Sequence, residues 1–448
     1  MNLLIHNAII FTNDDQNRIL EDHVVTVEGT RIREIGSETE LKSKYAHYEQ
    51  LDGGGRLLMP GLINAHMHFY GTFARGLALK KSPKNFAEIL ERLWWKLDSA
   101  LDSEAVYYSA LIPAIAAVKH GVTSVIDHHA SPNAVIGSLD RIEDALTAVG
   151  LRAVLCYEVS DRDGKEIRID GLQENQRYIQ ECQSAKVKNP DHLFDGMVGL
   201  HASFTLENDS LQRAAEISRT LKRGCHIHLL EDGVDRDKTL EKYGVDVVER
   251  LADFGILGEK TIAAHGIHLD ERGVELLAET DTIVVHNPQS NMNNAVGRTD
   301  IFKLLQKNIL VGIGTDGMSP DVKPDARTAN LLHKHALKDS NAGWPEIQRM
   351  LLENNPQIFE RVSGQKVGRL AAGYLADLIL VDYYPPTPLT GENFWGHFLF
   401  GIADAAVDTS IINGQVVMRG KEIPGIDEEK VAEETRLCAE RVWERFEK

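Results

Sequence analysis

Two histidines, His66 and His68, stand one residue apart at the end of the apolar run LLMPGLINAHMH. If this run is a β-strand, residues i and i+2 share a face, and both imidazoles point to the same place. Paired imidazoles are typical of a metal site, although two histidines that bond to backbone carbonyls give the same pattern. The residues that follow along the chain favour the metal site.

Histidine and aspartate recur where other strand-like runs end. In a barrel of parallel strands the carboxyl ends converge on one mouth, where active sites lie. Histidines placed at random would not follow strand ends in this way. The further residues of this kind are Asp127, His128, His129, His201, His226, His228, His265, His268, His286 and Asp316.

A catalytic metal needs a few protein ligands and one open position for water. Such a metal lowers the pKa of its water toward about 7 and makes hydroxide available at neutral pH. Glu231 follows the fifth run and is the predicted general acid, with a salt-bridged surface glutamate as the alternative. We expect a divalent metal, zinc first and iron second, since histidine and carboxylate suit both. The predicted ligands are His66, His68, His228 and Asp316.

The elements that position these residues alternate between strand and helix in the middle of the chain. Eight strand-like runs there are each followed by a helical stretch, which predicts an α/β fold with a parallel sheet, specifically a TIM (β/α)8 barrel over residues 58–366. A doubly wound sheet is the alternative, but the chain has no glycine-rich phosphate loop. The eight runs are LLMPGLINAH, TSVIDHH, RAVLCYEV, FDGMVGLHAS, CHIHLLE, TIAAHGIHL, TIVVHNP and LVGIGTD.

Both ends of the chain are richer in short strands. Residues 1–57 contain LLIHNAIIFT and HVVTVEGTRIREIG, and residues 367–448 contain YLADLILVDYY and TSIINGQVVMRG, the last with an Asn-Gly turn. We predict that the two ends together form a small β-sandwich domain beside the barrel. The tail EEKVAEETRLCAERVWERF is predicted to be an amphipathic helix.

Composition restricts the class of partner. The chain has 448 residues and a formal net charge of -18, which argues against nucleic acid and anionic membrane partners. Its four cysteines show no CxxC spacing, and no run approaches the roughly 20 apolar residues of a membrane helix. The N-terminal residues lack the basic and apolar regions of a signal peptide. We therefore expect a cytoplasmic enzyme with a small-molecule substrate.

Five motifs in this order, HMH, HIHLLE, AAHGIHLDE, HNPQSNM and GTDG, together resemble the amidohydrolase superfamily. FARGLALK and GRLAAGYLADLILVD are similar to the branch that contains triazine hydrolases and the adenosylhomocysteine and methylthioadenosine deaminases. Within that branch, DHHASP and NNPQIF most resemble the aminohydrolases called SsnA. The resemblance covers essentially the whole chain.

The resemblance implies hydrolytic deamination of an amino-substituted heterocycle such as a purine, pyrimidine or pterin. It implies that Glu231 carries a proton to a ring nitrogen, that His265 orients the attacking water and that Asp316 accepts a proton from it. One metal is implied rather than two, because the fourth strand ends in GLHAS and has no lysine that could be carboxylated. Relatives are commonly dimers or tetramers, which implies a homo-oligomer.

The resemblance also implies which residues contact the substrate. Nucleoside deaminases of this branch carry an arginine near the end of the third strand, where this chain has Tyr157 or Glu158. An acidic residue of the LWWKLDS segment contacts ribose hydroxyls in the family. The implied substrate contacts in this chain are Trp94, Asp98, His201 and Asn291.

Three other functions stay open at this stage. The first is the same chemistry with another leaving group, as in a chlorohydrolase or a cyclic amidohydrolase. The second is a non-catalytic metal-binding scaffold. The third is a metal-independent TIM-barrel enzyme of another type, which the pattern of four ligands disfavours. Glu231→Gln separates the second from an enzyme, because it abolishes turnover but spares binding.

Overall fold

The structure, a computed structural model, describes residues 2–448. Over this range the chain forms nineteen strands, of which the middle group is regularly separated by helices. The strands are β1 (Asn2–His6), β2 (Ile9–Phe11), β3 (Ile19–Leu20), β4 (His23–Glu28), β5 (Arg31–Ser37), β6 (Glu49–Asp52), β7 (Leu57–Pro60), β8 (Leu62–Met67), β9 (Val122–Asp127), β10 (Arg152–Leu155), β11 (Phe194–Gly196), β12 (Val198–Ala202), β13 (Cys225–Leu229), β14 (Ile262–His265), β15 (Ile283–His286), β16 (Val311–Ile313), β17 (Leu378–Val381), β18 (Val407–Ile412) and β19 (Gln415–Met418).

Seventeen α-helices lie in the same described range, and short π-helical turns at Leu90–Trp94 and Met350–Asn354 interrupt two of the helical segments. The α-helices are α1 (Glu38–Lys44), α2 (Phe86–Ile89), α3 (Trp95–Ser99), α4 (Ser103–Lys119), α5 (Ser138–Val149), α6 (Lys165–Lys188), α7 (Asn208–Leu221), α8 (Gly233–Tyr243), α9 (Val247–Asp253), α10 (Glu271–Glu279), α11 (Pro288–Asn293), α12 (Ile301–Gln306), α13 (Lys323–Leu337), α14 (Trp344–Arg349), α15 (Asn355–Ser363), α16 (Phe394–Phe400) and α17 (Glu428–Phe446).

Eight parallel strands form a closed barrel, as the sequence predicts. β8 pairs with β9 and β9 with β10, while β12 to β16 pair in chain order. Isolated parallel bridges close the two remaining gaps, one between Met67 and Asp316 and one between Val159 and Leu200. All eight carboxyl ends therefore point to one mouth.

The fourth predicted run, FDGMVGLHAS, is divided in the structure. Met197 lies between β11, which pairs with β10, and β12, which pairs with β13. The division lets one run pair with a different neighbour on each side. His201, which lies in β12, still reaches the mouth of the barrel.

Two further sheets lie beside the barrel and contain strands from both chain ends. One has the order β19-β18-β17-β7-β2-β3, and the other has the order β5-β4-β1-β6. Their facing sides share one apolar core, as expected for a sandwich. The buried residues of this core include Leu3, Ile5, Ile10, Val25, Val27, Leu58, Leu378, Leu380 and Ile411.

The sandwich and the barrel are joined over a very short distance. A single residue, Gly61, separates β7 from β8, and a Cβ at this position would overlap the side chain of Thr123. Across the same junction, the guanidinium of the fully buried Arg152 in β10 donates from Nε to Asp377 Oδ2 at 2.7 Å. The predicted Asn-Gly turn joins β18 to β19, with positive φ at both Asn413 and Gly414.

The C-terminal helix α17 supports the mouth of the barrel. Its apolar face buries Cys438, Val442 and Phe446, in agreement with the predicted amphipathic pattern. Trp443 Nε1 donates to the carbonyl oxygen of Phe73 at 2.9 Å and so holds the short helix that follows β8. Within the part of the chain that the structure describes, none of the helices combines the length and apolar character needed to cross a bilayer.

Candidate active site

The residues predicted as metal ligands lie at the ends of three barrel strands. His66 lies in β8 and His68 follows it, His228 lies in β13, and Asp316 follows β16. His68 Nε2 is 2.8 Å from Asp316 Oδ1 and 3.1 Å from His228 Nε2, and His66 Nε2 is 3.4 Å from Asp316 Oδ1. The structure therefore brings the four predicted ligands together.

Hydrogen bonds on the outer ring nitrogens orient these imidazoles. His68 Nδ1 donates to the carbonyl oxygen of His128, and His228 Nδ1 donates to that of His201 at 3.1 Å. Because a carbonyl can only accept, both Nδ1 atoms carry hydrogen and both Nε2 atoms present lone pairs to the cluster. His66 Nδ1 contacts His226 Nε2 at 2.8 Å, and His66 Nε2 is buried without a hydrogen-bond partner.

This donor set fits a divalent cation. Lone pairs of His68 Nε2 and His228 Nε2 face each other at 3.1 Å, a repulsive contact unless a cation lies beside them. Three imidazole nitrogens and one carboxylate are the ligands that zinc and similar metals take in catalytic sites. Nitrogen and oxygen atoms of His66, His228, His265 and Asp316 all lie within 4.8 Å of one another.

His265 and Asp316 have unusual backbone conformations. Their φ angles are 76° and 54°, in the left-handed region that residues other than glycine rarely adopt. Such strain persists only where the surroundings determine it, and it clusters at functional sites. His265 Nδ1 contacts Asn291 Oδ1 at 2.8 Å, while its Nε2 is buried without a hydrogen-bond partner and lies 3.6 Å from Glu231 Oε2.

Glu231, the predicted proton donor, lies beside the cluster with a raised pKa. Burial raises the pKa of its carboxyl group to about 7, so part of it is protonated at neutral pH. Asn294 Nδ2 donates to Glu231 Oε1 at 3.2 Å and fixes its orientation. Burial alone would also raise the pKa of Asp316, but the adjacent imidazoles of His66 and His68 outweigh burial and hold this pKa well below its usual range.

A cavity opens from this cluster to solvent. Trp94 and Trp95, at the π-helical turn between α2 and α3, form part of its wall. A π-helical turn within a helix is common at functional sites. The cavity is lined by His68, Tyr70, Phe86, Leu90, Trp94, Trp95, Glu158, Arg162, His201, Ala202, Phe204, His228, Glu231, Asp232, Asp235, Asn294, Asp316 and Gly317.

Of the four implied substrate contacts, two line the cavity and two do not. His201 and Trp94 lie on its wall. Asp98 lies behind the wall, where Arg162 binds its carboxylate, because a buried charge requires a partner. Asn291 is fully buried behind His265 and orients that ring rather than reaching the cavity.

The sequence analysis assigned no role to several polar residues of the cavity, among them Glu158 and Arg162. The resemblance drew attention to the end of the third strand, where it found no arginine, but Arg162 reaches the cavity from the loop that follows β10. The only available signal was the charged run SDRDG in that loop. Of the two adjacent histidines after β9, His128 faces the barrel interior and contacts Glu158, while His129 contacts Ser131 instead.

Comparison with known proteins identifies the family. The model of the Amidohydrolase family matches residues 57–417. This chain belongs to the amidohydrolase family. It is 31% identical to a 5'-deoxyadenosine deaminase of Methanosarcina acetivorans over 98% of both chains. It is 30% identical to a 5-methylthioadenosine/S-adenosylhomocysteine deaminase of Desulforudis audaxviator, over 99% of this chain and all of the relative.

Solved structures share the fold. An adenosine deaminase from Xanthomonas campestris with bound zinc superposes with a TM-score of 0.82 at 22% identity, over 98% of both chains. A triazine hydrolase from Arthrobacter aurescens gives a TM-score of 0.82 at 21% identity, over 98% of this chain and 99% of that one. At these identities the likeness concerns the fold.

Membership confirms the predicted superfamily and the barrel fold with its flanking sandwich. This chain is therefore a hydrolase of carbon–nitrogen bonds other than peptide bonds. Its buried cluster of histidines and an aspartate binds a divalent metal. The more specific likeness to SsnA stays a prediction, as do the individual roles of the site residues and the domain division at residues 57/58 and 366/367.

Proposed function

We propose that this amidohydrolase removes an amino group from a nitrogen heterocycle by hydrolysis, with one zinc ion held by His66, His68, His228 and Asp316. The observation that carries this proposal is the partly protonated, buried Glu231 beside three convergent imidazoles and a carboxylate. The relatives named as deaminases of adenosine derivatives support it and make purines the first ring class to test. The zinc bound to the adenosine deaminase of the same fold supports zinc over iron.

When bound, the metal supplies hydroxide at neutral pH because it lowers the pKa of its water. His265 Nε2, which has no other hydrogen-bond partner, orients the attacking water. Asp316 accepts a proton from this water, and its other oxygen is held by Ser290 Oγ. These two groups thus aim the oxygen at the carbon that bears the amino group.

Glu231 delivers a proton to the ring nitrogen next to that carbon. The adduct is then neutral, which is more stable than a charged adduct in a cavity that excludes water. The amino nitrogen takes the proton that Asp316 accepted, the carbon–nitrogen bond breaks, and ammonia leaves. The hydroxyl proton of the adduct returns to Glu231, and an oxo-substituted ring remains. Asn294, which contacts Glu231 Oε1, positions the carboxyl for the transfer.

Ammonia release from a panel of aminopurines, aminopyrimidines, pterins and guanidino compounds tests the proposal. Glu231→Gln should lower turnover of every substrate by about 1000-fold, within the range for loss of an acid–base group. Glu241→Gln, the same substitution at an exposed position of α8, is the matched control and should leave turnover unchanged. If protein with about one zinc per chain releases no ammonia from any compound of the panel, deamination is contradicted.

We further propose that the protein is a homo-oligomer of two or four chains. Light scattering of the purified zinc-loaded protein measures this directly. A monomer at micromolar concentration would contradict it.

A further inference from the structure

The wall of the cavity on the side of β10 contains two charged residues that the deamination mechanism does not use. Glu158 and Arg162 both come from the loop after β10, and both line the cavity. Arg162 carries the only guanidinium or ammonium group among the described lining residues. The two side chains are close enough for their charges to stabilise each other.

Arg162 is held rigidly but keeps one donor free. Its Nη2 donates to Asp98, its Nε donates to Asp163 Oδ2 at 2.8 Å, and its guanidinium lies 5.3 Å from the ring centroid of Trp95. Its Nη1 is buried and has no hydrogen-bond partner. A buried, unpaired N–H is costly, so a rigid donor on a cavity wall indicates an acceptor that arrives with the substrate.

Glu158 supplies an acceptor close to the reaction centre. It is 5% exposed, with Oε2 3.2 Å from His128 Nδ1 and Oε1 3.8 Å from His201 Nε2. One of its oxygens lies within 4.8 Å of ring nitrogens of His68 and His228. Burial would raise the pKa of Glu158, but His201, His128 and Arg162 together hold it below its usual range, and the group stays an ionised acceptor.

Glu158 does not belong to a second metal site. The group His68, His128, Glu158 and His228 is compact enough for one. However, the Nδ1 atoms of His68 and His228 are engaged with backbone carbonyls, and their Nε2 atoms already serve the first cluster. Because one imidazole nitrogen binds one metal, Glu158 is left to face the substrate.

The same wall lacks the acid expected to contact a ribose. Asp98 is 1% exposed and does not line the cavity, and its carboxylate is paired with the guanidinium of Arg162. The ion pair removes an acceptor for a sugar diol and orients a donor in its place. The wall therefore favours a ring edge over a ribose.

Resting on the proposed deamination, we propose that Glu158 and Arg162 select an amino heterocycle whose edge presents an N–H beside a carbonyl oxygen. The reacting carbon of such a ring lies between two nitrogens. Glu231 protonates one of them, Glu158 accepts the N–H of the other, and Arg162 Nη1 donates to the carbonyl next to it. The 2-amino-4-oxo edge of isocytosine and pterins and the 2-amino-6-oxo edge of guanine have this arrangement, whereas adenine has no carbonyl.

Two substrate pairs that differ at this edge test the subsite, isocytosine against 2-aminopyrimidine and guanine against 2-aminopurine. Wild-type enzyme should show a kcat/KM for the oxo compound that is about 100-fold higher, because a site built for a hydrogen-bonding group rejects the analogue without it. Arg162→Gln and Glu158→Gln should each lower kcat/KM for the oxo compound by about 10- to 100-fold. Both should change the other compound by less than about threefold.

Arg213→Gln, at an exposed position of α7, is the matched control and should change neither compound. If Arg162→Gln does not fold because Asp98 loses its partner, Arg162→Lys replaces it, since lysine keeps the charge but not the planar fork. Equal losses for both members of a pair would overturn the assignment. So would a wild-type enzyme that does not distinguish them.

Calorimetric titration of the zinc-loaded wild-type protein with the same four compounds separates this inference from the proposed function. Binding of the oxo compounds that is at least about tenfold tighter supports the subsite even if no ammonia is released. Absence of ammonia would then count against deamination alone. Equal dissociation constants within each pair would overturn the subsite whatever the turnover.

Discussion

The two sides of the active-site cavity are built in different ways. On the ligand side, His66, His68, His228 and Asp316 lie in or directly after β8, β13 and β16, where paired strands fix the backbone. On the selectivity side, which comprises Glu158, Arg162, Trp94 and Trp95, the side chains come from the loop after β10 and from the α2–α3 segment. The proposed mechanism and the proposed subsite thus place chemistry on the rigid scaffold and selectivity on connecting segments, as barrels allow.

The pH dependence of activity should depend on Glu231, which follows β13 next to the ligand side, and not on the selectivity side. This is the larger of the effects that separate the two sides. The acid form of Glu231 is the active one, and burial raises the pKa of this group to about 7. kcat/KM should therefore fall about tenfold per pH unit above pH 7, as the acid form is lost. A pH profile of ammonia release between pH 5 and pH 9, at saturating zinc, measures it.

Asn294→Ala sharpens this prediction. The hydrogen bond from Asn294 lowers the pKa of Glu231, so its loss should move the alkaline limb to higher pH. Arg162→Gln should leave the limb where it is. If Arg162→Gln moves the alkaline limb of the pH profile and Asn294→Ala does not, the proposed separation of the two sides is contradicted.

Trp95→Leu should have a smaller effect, confined to binding. The Trp95 ring lies against the Arg162 guanidinium and lines the cavity, and a cation–π contact contributes about 1 kcal/mol. Its loss should raise KM about fivefold while kcat stays within about twofold, because the ligand side is untouched. Steady-state kinetics with isocytosine measure the two constants. Trp443→Leu cannot serve as the control, because that indole supports the mouth of the barrel. A fall in kcat alone would contradict the separation.

The sequence was sufficient to predict the ligand side because its geometry is periodic. Alternation along a strand places His66 and His68 on one face, and parallel strands bring His228 and Asp316 to the same mouth. The eight strands and the shared sandwich follow from the same regularity. Two predicted runs are divided in the structure. The first divides at Gly61 into β7 of the sandwich and β8 of the barrel, and the fourth divides at Met197 into β11 and β12.

The selectivity side could not be predicted in the same way, because a loop has no period. Whether Arg162 reaches the cavity depends on the path of the segment after β10. Asp98, 64 residues earlier in the chain, was expected at the substrate and instead pairs with Arg162. Asn291 was expected there as well but lies behind His265, where its Oδ1 contacts the Nδ1 of that ring. Contacts between distant loops set these positions, and no local pattern encodes them.

The central claim is that one zinc ion per chain supports deamination. Its most direct test is a titration of metal-free protein with zinc, in which ammonia release from a compound that the enzyme deaminates is measured at each step. Activity should be absent after chelation and should rise in proportion to added zinc until about one zinc per chain is bound. His228→Ala, which removes one ligand, should neither retain zinc nor regain activity under the same conditions. Deamination that continues without metal, or that needs two zinc ions per chain, would contradict the mononuclear site.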